Sequence, residues 1–430
     1  MKKIILFILP VLLFSGELEN ILKGIDNSLL VKSSKTKTKA LKKMVGVYEG
    51  KNYPAIDIKF NAIRLKEIPT ATFYIPSLPP VTTPVGTKNN VSLELGFVYP
   101  IFTGYATSNM IEKAKLETVK SKLKTKNLKR ELYLKAIMLY SDIYAISQAV
   151  KATKEALKAL DISLKKANSL YKNALINLSE VYNIKAKRYS VIADLETLKA
   201  KRDLLVNMLY YVSGVKVGND LKLKGIKRLQ DEKGIIKQAL KNREDIAILK
   251  KELDIAGLEI KLAKSKFYPT VAVMGGIKKK GDSLRLNGNG YSNADESYIA
   301  LGVKWNIFDG FSKNRATQAS RLKKEATLLY LNDYMQKVKT EIENSFFVLK
   351  SLKAKLSAAK EQLKSQEEYY KLVKGRFANA LSSADELSRA IAALAKAKAN
   401  VQQYKAKIFF QRYKIILQAG LKVFITASTK

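Results

Sequence analysis

Cysteine and histidine are both absent from the 430 residues. Thiol and imidazole chemistry are thereby excluded, with the usual zinc sites and any disulfide framework. Proline and glycine are few and unevenly spread. The nine prolines stand at 10, 54, 69, 76, 79, 80, 84, 100 and 269. Neither residue occurs between Gly104 and Gly214, and between Gly310 and Gly420 only Gly375 interrupts. Stretches rich in Lys, Leu, Ala and Glu that lack both helix breakers read as helix. Acids are scarce, with 38 Asp and Glu against 78 Lys and Arg, a formal charge of +40. At 47% hydrophobic the chain is still too apolar to be disordered. No uncharged apolar run reaches the roughly 18 residues of a transmembrane helix. Gly-x-Ser-x-Gly and Gly-x-x-x-x-Gly-Lys-Ser/Thr are missing, and no catalytic or cofactor-binding constellation emerges. Gly288-Asn289-Gly290 reads as a turn.

What is present begins with a targeting segment. Lys2-Lys3 form a basic start, Ile4 to Phe14 an apolar stretch of eleven residues, and Ser15-Gly16 a small-residue exit. This is the pattern of a signal peptide over 1–15, and it marks an exported protein. The bland alternative, a buried N-terminal helix, is disfavoured by the lysine pair.

The strongest signal is an internal repeat. At an offset of 206 residues Leu95-Gly96 falls on Leu301-Gly302, Tyr99 on Trp305, and Ile101-Phe102-Thr103-Gly104-Tyr105 on Ile307-Phe308-Asp309-Gly310-Phe311. Without a gap, Asn173-Ala174-Leu175 then meets Asn379-Ala380-Leu381, and Gly214 meets Gly420. Tyr53-Pro54 and Tyr268-Pro269 form a looser pair. The chain divides into a first repeat, 16–217, a second, 218–423, and a tail, 424–430.

Each repeat alternates apolar and polar residues before its helical part. Val91, Leu93, Leu95, Phe97, Tyr99 and Ile101 share one face of a strand near 91–102. Ile299, Leu301, Val303, Trp305 and Ile307 do so near 297–308. Shorter runs predict strands near 54–65 and 270–280. About ten residues with one apolar face is the length of a transmembrane β-strand, whose outward face would carry Leu93, Leu95, Phe97, Tyr99, Leu301, Val303 and Trp305. A half-buried strand of a soluble sandwich is the competing pattern. Four strands cannot close a membrane barrel, so several chains must contribute. The loops 66–90 and 281–296 would then lie outside the cell.

Long helices are expected over 104–173 and 310–379, each roughly 100 Å at 1.5 Å per residue. Thr103 and Asp309 stand where they can N-cap them. Leu157, Leu160, Leu164, Ala167 and Leu170, or Leu349, Leu352, Leu356, Ala359 and Leu363, recur at coiled-coil spacing. Asn173 and Asn379 are expected to end the helices in the left-handed position. Asn177-x-x-Glu180 and Ser383-x-x-Glu386 match capping boxes for return helices over 177–213 and 383–419. Further helices are expected over 17–50 and 234–267.

On these features the chain resembles the TolC family of outer-membrane channel proteins. The resemblance rests on the duplicated strand–strand–helix plan, the Tyr-Pro openings, Trp305-Asn306-Ile307-Phe308-Asp309-Gly310, and the turn from Arg376 to Leu387. It implies a homotrimer whose twelve strands form one transmembrane β-barrel and whose helices form a coiled-coil α-barrel across the periplasm. It also implies docking to a periplasmic adaptor and to an inner-membrane pump or ABC exporter, so that small molecules or polypeptides leave through the outer membrane. In the family an aspartate ring narrows the periplasmic entrance. Asp385 is the matching residue, and Ser388 holds the place of a second aspartate. Some members latch the turns with a tyrosine and an aspartate, and the nearest positions here are Arg376 and Ser179. Glu180 and Glu386 are the charged neighbours.

The rival class is a basic coiled-coil protein that binds nucleic acid. Residues 113–130 hold eight Lys or Arg and one acid, Glu117, an electrostatic footprint for phosphate. The surplus is spread along the chain, however, and lacks interleaved aromatics. A general porin fails on the helices.

Overall fold

The computed structural model describes residues 17–218, 221–223 and 229–421. The leader over 1–15, the end of the second repeat at 422–423 and the tail 424–430 lie outside the described residues. In chain order the elements are α1 (Glu17–Asp26), α2 (Leu29–Gly50), β1 (Ala55–Arg64), β2 (Thr70–Phe73), β3 (Val81–Pro84) and β4 (Asn89–Phe102). There follow α3 (Ala106–Lys172), α4 (Leu178–Ser213), α5 (Glu232–Asn242), α6 (Glu244–Ser265), β5 (Thr270–Gly281), β6 (Asp295–Lys304), α7 (Ser312–Ala378) and α8 (Ala384–Gln418). Residues 37–121 and 249–330 form one compact unit, and the remaining described residues form a second.

The first of these units holds an antiparallel sheet in the order β1-β4-β5-β6. Its register sorts residues by chemistry. Ile58, Leu95 and Ile277 lie opposite one another on one face, as do Phe60 and Leu93. The other face carries the row Lys59, Glu94, Lys278 and Glu296. The face of Phe60 and Leu93 also carries an ion pair at its loop end, Lys279 with Asp295 at 3.2 Å. Opposite charges on adjacent strands support the register, because a slip of one residue would carry the row of Lys59 and Glu94 to the apolar side. Gly275 lies opposite Phe97, and a Cβ there would stand 2.7 Å from the Phe97 ring. The ring thus covers a backbone that has no side chain of its own.

Two strand expectations need correction. β6 ends at Lys304 rather than near 308, because its partner β5 begins at Thr270, after Pro269, which has no N–H for the ladder. Trp305 therefore stands beyond the strand, its ring N–H donating to the Phe267 carbonyl at 3.0 Å. The loop 66–90 is not wholly irregular: it holds the hairpin β2–β3, whose Thr72 and Thr82 hydroxyls meet at 2.8 Å.

Strand passes to helix by the same turn twice. Gly104-Tyr105 and Gly310-Phe311 all have φ between 62° and 67°, the two positive values of a type I′ turn. Glycine is required at Gly104, where a Cβ would meet the Ser265 carbonyl oxygen at 2.6 Å. The Thr103 hydroxyl accepts the Thr107 N–H at 3.2 Å, and the Asp309 carboxylate accepts that of Lys313 at 3.1 Å, so both expected caps form.

The second unit is helical. One apolar cluster joins Ile21 and Ile25 of α1, Ile137 and Tyr140 of α3, Leu209 of α4 and Phe409 of α8. Another joins Leu160 and Leu170 of α3, Ile184 of α4, Phe377 of α7 and Leu387 and Ile391 of α8. The expected single helices over 17–50 and 234–267 are each broken, at Asn27-Ser28 and at Arg243. A pinned aspartate lies beside each break. Asp26 accepts from the Tyr133 hydroxyl at 2.7 Å and pairs with Lys129 at 2.8 Å. Asp245 accepts from Tyr334 at 2.9 Å and pairs with Arg243 at 2.7 Å and Arg130 at 2.8 Å. At the second break the C-terminal end of α8 comes so close that a Cβ on Gly420 would stand 2.8 Å from the Asn242 carbonyl carbon.

Candidate functional site

The sheet supplies a candidate membrane wall. Leu93, Leu95, Tyr99, Leu301 and Val303 are all exposed in the chain, Leu301 by 65%, and so are Ile56, Ile58 and Phe60 of β1. Phe97, half-buried, and Trp305, exposed beyond the strand, complete the residues expected to face outward. An apolar face of this kind, broken only toward its loop end by the Lys279–Asp295 pair, is unfavourable in water and favourable in hydrocarbon. Among the described residues no helix is long and apolar enough to cross a membrane. The outer edges of β1 and β6 are unpaired within the chain, and unpaired backbone groups are costly in lipid.

The second candidate region is the pair of helix turns. After α3 the left-handed residue is Ala174, with φ 55°, and after α7 it is Ala380, with φ 58°. The expectation that Asn173 and Asn379 adopt that conformation is therefore corrected by one residue. The Leu175 N–H returns to the Leu170 carbonyl and that of Leu381 to the Arg376 carbonyl, both at 2.9 Å, the six-to-one bond of a Schellman motif. Each asparagine is the first residue past its helix, is not among the positive-φ residues, and uses its side-chain amide instead. Asn173 donates to the Ser169 carbonyl at 3.0 Å, and Asn379 to that of Gly375 at 3.1 Å.

The two expected capping boxes diverge. Ser383 accepts the Glu386 N–H at 3.1 Å, while Asn177 makes no side-chain cap. Glu386 does not return to the Ser383 backbone but accepts the Ser382 hydroxyl at 2.8 Å, with Tyr369 and Arg376 beside it at 3.5 and 4.0 Å. Glu180 leaves its own helix and accepts the Ala384 N–H at 2.6 Å. A carboxylate from the first turn thus caps α8, where the helix dipole favours negative charge. Arg376 also donates to the Leu381 carbonyl at 3.2 Å.

The other expected entrance residues scatter. Asp385 is exposed and lies 2.9 Å from Arg389, one helical turn on. That partner could have been found from the i,i+4 spacing. Ser388, expected beside Asp385 at the entrance, is instead buried, because its position falls on the inner face of α8 beside Leu387. Ser179 is exposed, and its neighbour Glu180, rather than Ser179 itself, makes the bond between turns.

The charged cluster at the α5–α6 break holds a strongly perturbed carboxyl. Burial would raise the Asp245 carboxyl, yet the Arg243 bond and charge, with Arg130 and Tyr334, hold it at about 2. Burial and the Asp26 carboxylate push the Tyr133 hydroxyl above its ordinary range. These carboxylates have cationic and hydroxyl partners.

Residues 235–409 match the family model described as outer membrane efflux protein. No curated protein matches the chain in sequence. Several solved structures share its fold. The outer membrane protein VceC from Vibrio cholerae has a TM-score of 0.75 at 15% identity, over 94% of this chain and 96% of that one. The Campylobacter jejuni CmeC outer membrane channel gives 0.74 at 15%, over 94% and 86%. The open state of the Neisseria gonorrhoeae MtrE outer membrane channel gives 0.71 at 16%, over 94% and 89%. The nucleic-acid reading of the basic helices finds no support among these matches.

Proposed function

From a chain that carries the outer membrane efflux protein domain on the fold of the TolC-type channels, we propose an exit duct of three copies. Their twelve strands close one barrel in the outer membrane, and their long helices continue it into the periplasm. The sheet register supports this reading, because one face is apolar except for the Lys279–Asp295 pair at its loop end, while the other carries the row Lys59, Glu94, Lys278 and Glu296. The open edges of β1 and β6 support it as well: in a ring, β6 of one copy meets β1 of the next in the antiparallel sense that the order β1-β4-β5-β6 requires. The duct has no phosphate loop of its own, so an inner-membrane pump or ABC exporter and a periplasmic adaptor drive transport. Efflux of small molecules is favoured over polypeptide secretion by the domain match.

The turns form the periplasmic entrance in this reading. The Glu180 bond to the N-terminus of α8 latches the two turns of one copy together. Asp385 lines the ring, its charge largely offset by Arg389. Planar-bilayer recording tests both roles. Glu180→Ala is expected to raise the open conductance with the trimer intact, and an unchanged conductance would leave Glu180 as a helix cap only. Arg389→Gln is expected to increase cation preference and Asp385→Asn to decrease it.

A further inference from the structure

The helix–strand junctions carry a belt of aromatic rings. Phe102 and Tyr105 meet edge to face at 5.2 Å, Tyr105 and Tyr268 at 5.5 Å, and Phe308 and Phe311 at 5.5 Å. Such rings collect where hydrocarbon gives way to head groups. Beside that belt, between the end of α6 and the first turns of α7, lies a cavity of about 340 Å³. Its lining is amphiphilic. Phe267 and Tyr268 supply aromatic surface, Lys264 and Arg321 two cations, and Asn314 and Gln318 amide donors. On the first part of α3, Lys113 is paired with Glu259, Lys115 with Glu49 and Lys120 with Glu117. Among the described residues Lys264 and Arg321 have no such acidic partner.

We propose that this cavity binds the phosphate of an anionic phospholipid from the periplasmic leaflet, an inference that rests on the outer-membrane reading above. The Arg321 guanidinium offers a planar pair of donors to phosphate oxygens, and the Lys264 ammonium a mobile point charge. The Phe267 and Tyr268 rings cover the glycerol and the start of the acyl chains. Basic recesses at this depth attract lipid head groups. The mixed lining distinguishes the site from a plain anion site, because free phosphate has nothing for the rings to cover.

The single tryptophan supplies the readout. Trp305 donates to the carbonyl of Phe267, which lines the cavity, so its fluorescence senses occupancy. The full-length protein in uncharged maltoside micelles is titrated with dihexanoyl-phosphatidylglycerol, dihexanoyl-phosphatidylcholine and inorganic phosphate, with its mass measured on the same samples. The account expects saturable binding of phosphatidylglycerol, weakened about thirtyfold in Lys264→Gln/Arg321→Gln, from roughly 1 kcal/mol per charge. Phosphatidylcholine and inorganic phosphate should bind far more weakly. Lys360→Gln/Lys364→Gln, which removes the same charge from exposed positions on α7, should change affinity by less than about twofold. If the double variant does not assemble, Arg321→Gln alone is used, with about a fivefold loss expected. Equal affinity in the variant, an equal loss in the control pair, or phosphate binding as tight as lipid overturns the proposal. A wild-type chain that is monomeric in the same micelles overturns the outer-membrane reading instead.

Discussion

The two helix turns are one backbone built twice with different side-chain bonds. Both place an alanine in the left-handed conformation and both close with the same six-to-one bond. The second turn is nearly self-contained, since Ser383, Glu386, Ser382 and Arg376 all bond within it. The first leaves Asn177 without a side-chain cap and gives its carboxylate, Glu180, to the second. The two copies thus share a backbone, and a side-chain bond that only the first copy makes joins them. The helix breaks follow the same logic, with an aspartate–tyrosine bond beside each, a single lysine at Asp26 and two arginines at Asp245.

The largest expected effect falls where the repeats share an exposed apolar face. Leu95→Arg and its repeat equivalent Leu301→Arg should each cost about 2–4 kcal/mol if they lie near the membrane midplane, measured by unfolding in lipid. Thr72→Arg, in the hairpin β2–β3, should cost far less. Equal tolerance at all three positions would contradict the placing of Leu95 and Leu301 against lipid.

Next comes the second helix break. A carboxyl held at about 2 in the folded chain contributes stability above its unfolded value. That stability is lost as pH falls from about 4 through 2. Asp245→Asn should therefore lower stability at neutral pH by about 2 kcal/mol and flatten the acid limb. Asp26 is also lowered from its ordinary value, but among the described residues only Lys129 forms an ion pair with it, against two arginines at Asp245, so Asp26→Asn should cost less. The reverse order would break the parallel between the breaks.

Glu180→Ala removes a cap from α8 and should cost about 1 kcal/mol, whereas Asn177→Ala, which removes no side-chain cap, should cost much less. Thermal unfolding of the two variants separates them. Ala174→Gly and Ala380→Gly should each stabilise slightly, because glycine enters the left-handed region without the side-chain penalty that alanine bears. Destabilisation at either site would contradict the turn assignment.

These differences mark what sequence could and could not reveal. The absence of Gly and Pro places α3 and α7 plainly, since helix propensity and the lack of breakers act locally. The alternation of residues places the sheet faces for the same reason. The end of β6 is set by Pro269, just before its partner strand β5, and the hairpin β2–β3 by pairing across a proline-rich loop that has no alternation. Asn173 and Asn379 are favoured left-handed residues by type, yet their amides are engaged with the preceding helical turn, so the next residue turns. The bond from Glu180 joins residues 204 apart, and no local pattern announces it. The charge partner of Asp385, by contrast, lay one helical turn away in plain view.

The most direct test of the account is the mass of the full-length protein in mild detergent, with the detergent contribution subtracted. Closure of a barrel from four-stranded sheets with two open edges predicts a single species of three chains, which Leu95→Arg depletes. A monodisperse monomer that keeps its native circular dichroism would contradict it.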